Sequence, residues 1–413
     1  MTSPTPIESG ARFSAVKALD SQHLLQTYRR AQVVFTRGEG VYLYDDGGRR
    51  YLDLISGIGV ASLGHANPAL AAALADQART LIHTSNLYYH ELQGQVAALL
   101  TALSGLPRVF FCNSGTEAIE ACLKFARRFW YTSGDRHRTG FVALEHGFHG
   151  RTIGSLSVTW DEHYRAPFEP LLGDVTWVPA NDPDALVAAV SSTTAAIIAE
   201  AVQGEGGIRP LSPEMAAAIE RARQRTGALL IADEVQCGLG RTGTAFGYQR
   251  LGLQADLAAV GKALGGGVPV GAALVSQPVA SAISFGDHGT TYGGNLLACR
   301  AALVFLEALT SGGLQEHVRE VGGLFGEGLR SLAARHPVVR EVRGEGLMWG
   351  LDLKADAAPF IDAALKRGLL VNRTAGTVVR MLPPFVITRA EVDEALALLD
   401  GVFADVATEG AAS

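Results

Sequence analysis

Lysine is scarce in this chain. Of 35 lysines and arginines, only Lys17, Lys124, Lys262, Lys354 and Lys366 are lysine, so any amine chemistry has five candidates. Cysteine is scarcer: Cys112, Cys122, Cys237 and Cys299 have neither metal nor disulfide spacing, which fits a reduced, cytoplasmic setting. His146 and His149 lie three apart, but no cysteine and no acid other than the adjacent Glu145 lies near them, and no metal site is expected. Long apolar runs are missing as well. Ala195–Ala199 and Ala228–Ala232 are strand length, far below the roughly 18 residues of a membrane span. Met1 to Ala15 has no apolar stretch of the signal-peptide kind. A net charge of −6 without a basic stripe argues against nucleic acid as a partner.

What is present fits a globular chain of two domains. The sequence has 413 residues, 48% hydrophobic and 18% charged. Residues 1–20 are expected to be poorly ordered. Between Val33 and Leu54, alternating apolar residues around Asp45-Asp46-Gly47-Gly48 predict small antiparallel hairpins. Helices are expected over 68–82 and 91–103. From Arg108 the rhythm becomes strand–helix: strands at 109–112, 140–144, 175–178, 195–199, 228–232 and 257–260, with helices at 116–127, 184–190 and 213–226 between them. That is the pattern of a mostly parallel sheet covered on both faces. A helix at 322–334, short strands at 338–342, 347–353, 369–372 and 378–381, and a closing helix at 391–403 read as a smaller α+β domain. The expected division is 1–66 (N-terminal hairpins packing with the small domain), 67–315 (large domain) and 316–413 (small domain).

Ligands in such α/β sheets sit beyond the carboxyl ends of the strands. Three polar features fall there. Asp233 ends one apolar strand, and Lys262 follows the next, ahead of Ala263-Leu-Gly-Gly-Gly267. A desolvated lysine and a strand-end acid suit pyridoxal phosphate: the amine forms a Schiff base, and the acid keeps the pyridine nitrogen protonated. Glu234 competes with Asp233, but alternation places Asp233 on the side of Leu229 and Ile231. Lys124 competes with Lys262, yet its mid-helix place suits a snorkelling surface residue. Ser114-Gly115-Thr116 lies between strand and helix, where free N–H groups and the helix dipole suit a phosphate; an ordinary capped turn would read the same. Arg380 is a charge inside the apolar run Val378–Phe385 and needs an anion, either a structural partner or a substrate carboxylate, with Glu205 a candidate. Phe148 and Arg151 follow the strand ending at Leu144, where a ring stack and a carboxylate clamp would both be useful. Gly238-Leu-Gly240-Arg-Thr-Gly243 matches the dinucleotide fingerprint by letter. The polar Asp-Glu-Val-Gln before it, and the lack of a clear helix start after it, count against an NAD-dependent dehydrogenase.

Taken together, the chain resembles the class III (ornithine-type) aminotransferases of pyridoxal-phosphate fold type I, over roughly Gln26 to Phe403. The motifs are Ser-Gly-Thr-Glu-Ala (114–118), Phe-His-Gly-Arg-Thr (148–152), Val-Gln-Gly-Glu-Gly-Gly (202–207), Asp-Glu-Val-Gln (233–236), Gly-Arg-Thr-Gly (240–243), Lys-Ala-Leu-Gly-Gly-Gly (262–267) and His-Gly-Thr-Thr-Tyr-Gly-Gly-Asn (288–295). The resemblance implies that Lys262 is the Schiff-base lysine and proton shuttle. It implies that Asp233 pairs with the ring nitrogen, Gln236 lies near the ring hydroxyl, and Phe148 stacks on the ring. Ser114, Gly115 and Thr116 would hold the phosphate, and Thr291 would reach the phosphate of the neighbouring subunit of a homodimer. Arg151 and Arg380 would hold substrate carboxylates, with Glu205 masking Arg380 until 2-oxoglutarate arrives. Ser56-Gly-Ile58-Gly-Val and His83-Thr-Ser-Asn86-Leu-Tyr are similar to the acetylornithine branch, and an apolar Ile58 fits a donor whose α-amine is acylated. Segments 155–168 and 340–347 are also similar to sister enzymes of lysine biosynthesis, which take substrates from an amino-group carrier protein. The chain departs from the family pattern at Ala201, Gly261 and Leu296, which alters backbone shape without removing a functional group.

Overall fold

The computed structural model describes residues 11–412. The strands that carry the site have continuous apolar runs: β1 (Arg108–Cys112), β2 (Gly140–Leu144), β3 (Val175–Val178), β4 (Thr194–Glu200), β5 (Leu229–Asp233), β6 (Leu257–Val260) and β7 (Gly271–Val275). They form one sheet in the order β1-β7-β6-β5-β4-β2-β3. Only β7 runs antiparallel to its neighbours. Both faces of β5 are buried. Leu230 and Ala232 join one apolar cluster, and Leu229 and Ile231 join another, which includes Ile119, Cys122 and Phe125 of the Gly115–Thr132 helix. Double-sided burial is why β4, β5 and β6 read as unbroken apolar runs rather than alternation.

Two smaller sheets flank this layer. Phe35–Glu39, Tyr42–Asp45 and Arg50–Asp53 form a meander whose last strand pairs in parallel with Leu369–Leu370. Val339–Glu345, Met348–Leu353, Val378–Met381 and Asn372–Thr374 form an antiparallel sheet. Chain start and chain end therefore share hydrogen bonds.

Three local expectations are corrected. Poor order over 1–20 does not hold for Ala11–Asp20, which lie in the helix Ala11–His23; the rest of that span falls outside the described residues. β7 and the 15-residue helix Leu296–Thr310 were not foreseen, because glycines precede both stretches, with Pro269 before the first, and suggest loop. The helix expected at Gly322 starts at Leu314 and spans four glycines. Gly326 tolerates the helix because its bare Cα face lets Trp349 approach; a Cβ there would sit 2.4 Å from that ring. Among the described residues no single helix is long and apolar enough to cross a membrane.

Candidate active site

β5 and β6 are parallel neighbours, with Asp233 opposite Ala259. Their ends therefore deliver Asp233 and Lys262 to one edge of the sheet. Lys262 opens a single 3₁₀ turn and has φ +39°. A non-glycine residue held there costs on the order of 1 kcal/mol, the kind of strain that concentrates at functional positions. Burial lowers the Lys262 pKa; Glu205 opposes that shift.

A cavity of about 250 Å³ surrounds the two residues, lined by Gly115, Thr116, Phe148, Asp233, Gln236 and Lys262 among others. At one end starts the 18-residue helix Gly115–Thr132, capped by Ser114 Oγ on the N–H of Glu117 at 3.3 Å. The N–H groups of Gly115 and Thr116 precede any possible intrahelical acceptor, so this end favours an anion. Gly115 cannot be replaced without movement: a Cβ would lie 2.5 Å from Val235. Thr116 Oγ1 ties the opposite wall down. It bonds Ser155 Oγ at 2.6 Å and accepts the N–H groups of Arg151 and Thr152 at 3.2 and 3.3 Å. Gly150, at φ +140°, allows this approach; its Cβ would lie 2.3 Å from Thr116 Oγ1.

At the other end Asp233 is buried, and Oδ2 meets His149 Nδ1 at 2.7 Å while Oδ1 accepts the Val235 N–H at 3.0 Å. Burial disfavours His149 protonation, but the Asp233 bond and charge override it and raise its pKa. His149 Nε2 is buried without a partner. Glu200, buried and opposite Asp233 in the register of β4 and β5, accepts the N–H groups of Phe148 and Gly204, each at 3.0 Å. Burial, followed by the Asp233 charge, pushes its pKa up to about 7.

Arg380, on the Val378–Met381 strand, contacts two residues of the cavity wall, Glu205 and Gln236. It is 1% exposed and donates to Glu205 Oε1 at 2.6 Å, Asn372 Oδ1 at 3.1 Å and Gln236 Oε1 at 3.4 Å. Burial would raise the Glu205 pKa, yet the Arg380 charge and hydrogen bond bring it below the ordinary value. Arg151 lies exposed at the rim with its guanidinium 3.8 Å from the Tyr164 ring centroid.

The structure thus gathers Gly115, Thr116, Phe148, Arg151, Glu205, Asp233, Gln236 and Lys262 around one cavity, with Ser114 at its edge and Arg380 against Glu205. Three other candidates lie apart from it. Thr291 is exposed and lines a separate surface hollow with Lys124 and His288. Asn86 spends its amide on the carbonyls of Thr290 and Gly293, at 3.2 and 3.1 Å. Ile58 is 44% exposed in a run of left-handed residues, Ser56 to Gly59. Sequence reasoning missed His149, Glu200 and Val235. The first two carried a signal, a histidine and a strand-end acid beside quoted motifs, but only the fold brings them to Asp233.

The glycine fingerprint is not a nucleotide site. Gly238–Gly243 forms turns with no helix start. Arg241 fills it, donating to the carbonyls of Leu347 and Pro383 and to Ser62 Oγ, with its guanidinium 4.3 Å from the Phe385 ring centroid.

The cavity's chemistry fits pyridoxal 5′-phosphate: an anion-binding helix start at one end, a buried carboxylate at the other, a lysine amine between them, and the cradle at Gly115 and Gly150 that a Cβ would fill. Comparison with known proteins agrees. The family model for class-III aminotransferases matches residues 25–403. The chain is 46% identical to the acetylornithine aminotransferase of Archaeoglobus fulgidus over 380 residues, 92% of this chain and 98% of that protein. It is 46% identical to that of Gloeobacter violaceus over 385 residues, 93% and 96% of the two chains. Among solved structures, the ornithine aminotransferase of Toxoplasma gondii superposes with a TM-score of 0.92 at 29% identity, covering 98% of this chain and 100% of that one. The acetylornithine aminotransferase of Elizabethkingia anophelis gives 0.85 at 28%, covering 95% and 99%.

Proposed function

The chain belongs to the class III aminotransferases, enzymes that use pyridoxal 5′-phosphate, and from that premise we propose that it moves the terminal amino group of N-acetylornithine to 2-oxoglutarate, giving N-acetylglutamate semialdehyde and glutamate, a step of arginine biosynthesis. The observation that carries the reaction is one cavity holding Lys262 beside the Arg380–Glu205 pair. Support for the donor comes from relatives at 42–46% identity that bear the name acetylornithine aminotransferase.

When bound, the cofactor supplies an aldehyde for covalent attachment of an amine and a ring that accepts electrons. The protein supplies the rest. Ser114, Gly115 and Thr116 hold the phosphate at the helix start. Phe148 and Val235, on the cavity wall, would enclose the ring, and Gln236 would lie beside it. Asp233, anchored by His149 and the Val235 N–H, places an anion at the ring nitrogen. Lys262 Nζ, desolvated and so less basic than a free lysine, takes the proton from the substrate carbon bearing nitrogen and returns it on the far side of the transfer.

Glu205 and Arg380 let one site accept two unlike substrates. With Glu205 on Arg380, the buried cation is neutralised and the amine-bearing end of the donor meets no free charge. When 2-oxoglutarate arrives, its carboxylate replaces that of Glu205, whose side chain is 35% exposed and has room to leave. Arg151 meets the second carboxylate at the rim. Ile58 and Asn86 lie at the donor's acylated end.

The working unit is a homodimer, in which Thr291 reaches the partner's phosphate. Exposed Leu87, Tyr88, Tyr89, Phe285 and Tyr292 support burial of this surface. Of the described residues, the N-terminal hairpins before residue 67 pack with a small domain formed from residue 316 onward, beside the large domain of 67–315. Four buried, unbridged cysteines suit a reduced cytoplasmic compartment. The test is a donor panel with 2-oxoglutarate, measuring glutamate: N-acetylornithine, ornithine, 4-aminobutyrate, N-acetyl-lysine and carrier-bound lysine. The highest kcat/KM is expected for N-acetylornithine. A higher value on the carrier-bound substrate would move the enzyme to lysine biosynthesis.

A further inference from the structure

Glu200 has no place in the chemistry above, yet it is a buried acid whose two oxygens each hold a backbone N–H from a different loop. Oε1 takes Phe148, in the segment whose next residue, His149, anchors Asp233. Oε2 takes Gly204, in the loop whose next residue, Glu205, covers Arg380. Gly204 lies so close to Gln236 that a Cβ would fall 1.9 Å from Oε1. The other side of Glu205 is pinned too, since Thr374 Oγ1 donates to its carbonyl. The backbone around Glu205 is therefore fixed on both flanks, and only its side chain is free to turn.

We infer that Glu200 is a positioning residue which joins the ring-stacking segment to the Glu205 loop, so that Arg380 is unmasked by rotation of one side chain over a stationary backbone. The inference rests on the Glu205–Arg380 gate proposed above. With the backbone held, the opening keeps a constant span for a dicarboxylate. Released, the loop can follow Arg380 and keep Glu205 on it, and binding the acceptor becomes harder. Glu200→Gln is nearly isosteric but turns an NH₂ toward one of two inward-pointing N–H groups, leaving that bridge unmade.

The decisive experiment uses the cofactor-loaded enzyme and its Glu200→Gln, Glu205→Gln and double variants. Calorimetry measures the affinity for glutarate, an unreactive dicarboxylate, and rapid mixing measures the donor and acceptor half-reactions separately. Glu200→Gln is expected to weaken glutarate about tenfold, the scale of a lost hydrogen bond to a charged group, while the donor half-reaction changes less than about threefold. Glu205→Gln is expected to tighten glutarate, since Arg380 is no longer masked. In the double variant the Glu200→Gln effect should shrink below about twofold, because no gate remains to position. A loss equal in both half-reactions, or one that persists undiminished without Glu205, would overturn the inference and leave the gate intact. Glutarate affinity unchanged by Glu205→Gln would overturn the gate and the inference together.

Discussion

Arg380 and Arg241 are both 1% exposed, yet their surroundings differ in kind. Arg380 lies behind Glu205, which lines the Lys262 cavity, and is neutralised by that one part-exposed carboxylate. Arg241 has carbonyls, a hydroxyl and a ring about it, and no carboxylate. Burial with nothing to offset it brings the Arg241 pKa down to about 9. A buried cation with a removable anion can exchange partners with a substrate. One clamped by two backbone carbonyls and a hydroxyl from three distant segments holds the fold together. Burial alone does not separate the two; the nature and mobility of the partner do.

The sharpest way to strain that contrast is to remove the amine that gives the cavity its chemistry. Lys262→Ala should cut transamination by at least about 10³-fold, the scale of a lost acid–base group, with the melting temperature within a few degrees of wild type. Full activity in that variant would end the reading of this cavity as the active site. Arg241→Met should do the reverse. Two carbonyls and a hydroxyl lose their donor, and stability measured in urea should fall by about 1–3 kcal/mol. A variant as stable as wild type would show that the Arg241 contacts are incidental.

A smaller effect follows from the Lys262 environment. The neutral amine is the nucleophile, so cofactor uptake by the apoenzyme should rise with pH. Burial lowers the lysine pKa, so the rise should level off before the ordinary value of 10.5. A plateau only above that value would mean the amine is solvated. A last effect concerns Glu200 and Glu234, each pushed up to about 7, chiefly by burial. Their folded pKa values exceed the ordinary 4.5, so the folded state holds protons that the unfolded state has lost. Stability should therefore fall as pH rises from about 5 to 7, by roughly 1 kcal/mol per unit for each group at most. Glu234→Gln should flatten that slope in a urea series; an unchanged slope would contradict it.

Much of this was legible in the sequence where burial is two-sided. The runs at 140–144, 195–199 and 257–260 coincide with strands because both faces are covered, and a strand end fixes where Asp233 and Lys262 emerge. β7 was not legible, since Gly271-Ala-Ala-Leu-Val follows a glycine-rich stretch that reads as loop. The partners of Asp233 and Arg380 were less accessible still. His149 lies 84 residues from Asp233, and Glu205 lies 175 from Arg380, and no local pattern encodes such distances. Glu205 was named as a candidate anion for Arg380, and resemblance gave it the masking role; His149 and Glu200 needed the fold. Ile58 and Asn86 show the converse, since motif similarity singled them out but they do not line the Lys262 cavity of their own chain.

The most direct test of the contrast is kcat/KM for 2-oxoglutarate in Arg380→Ala and Arg241→Met, assayed side by side at a temperature where both are folded. Loss of a buried charge partner predicts a fall of about 10²-fold or more for Arg380→Ala, and a change of less than about threefold for Arg241→Met. Equal falls in the two variants would contradict it.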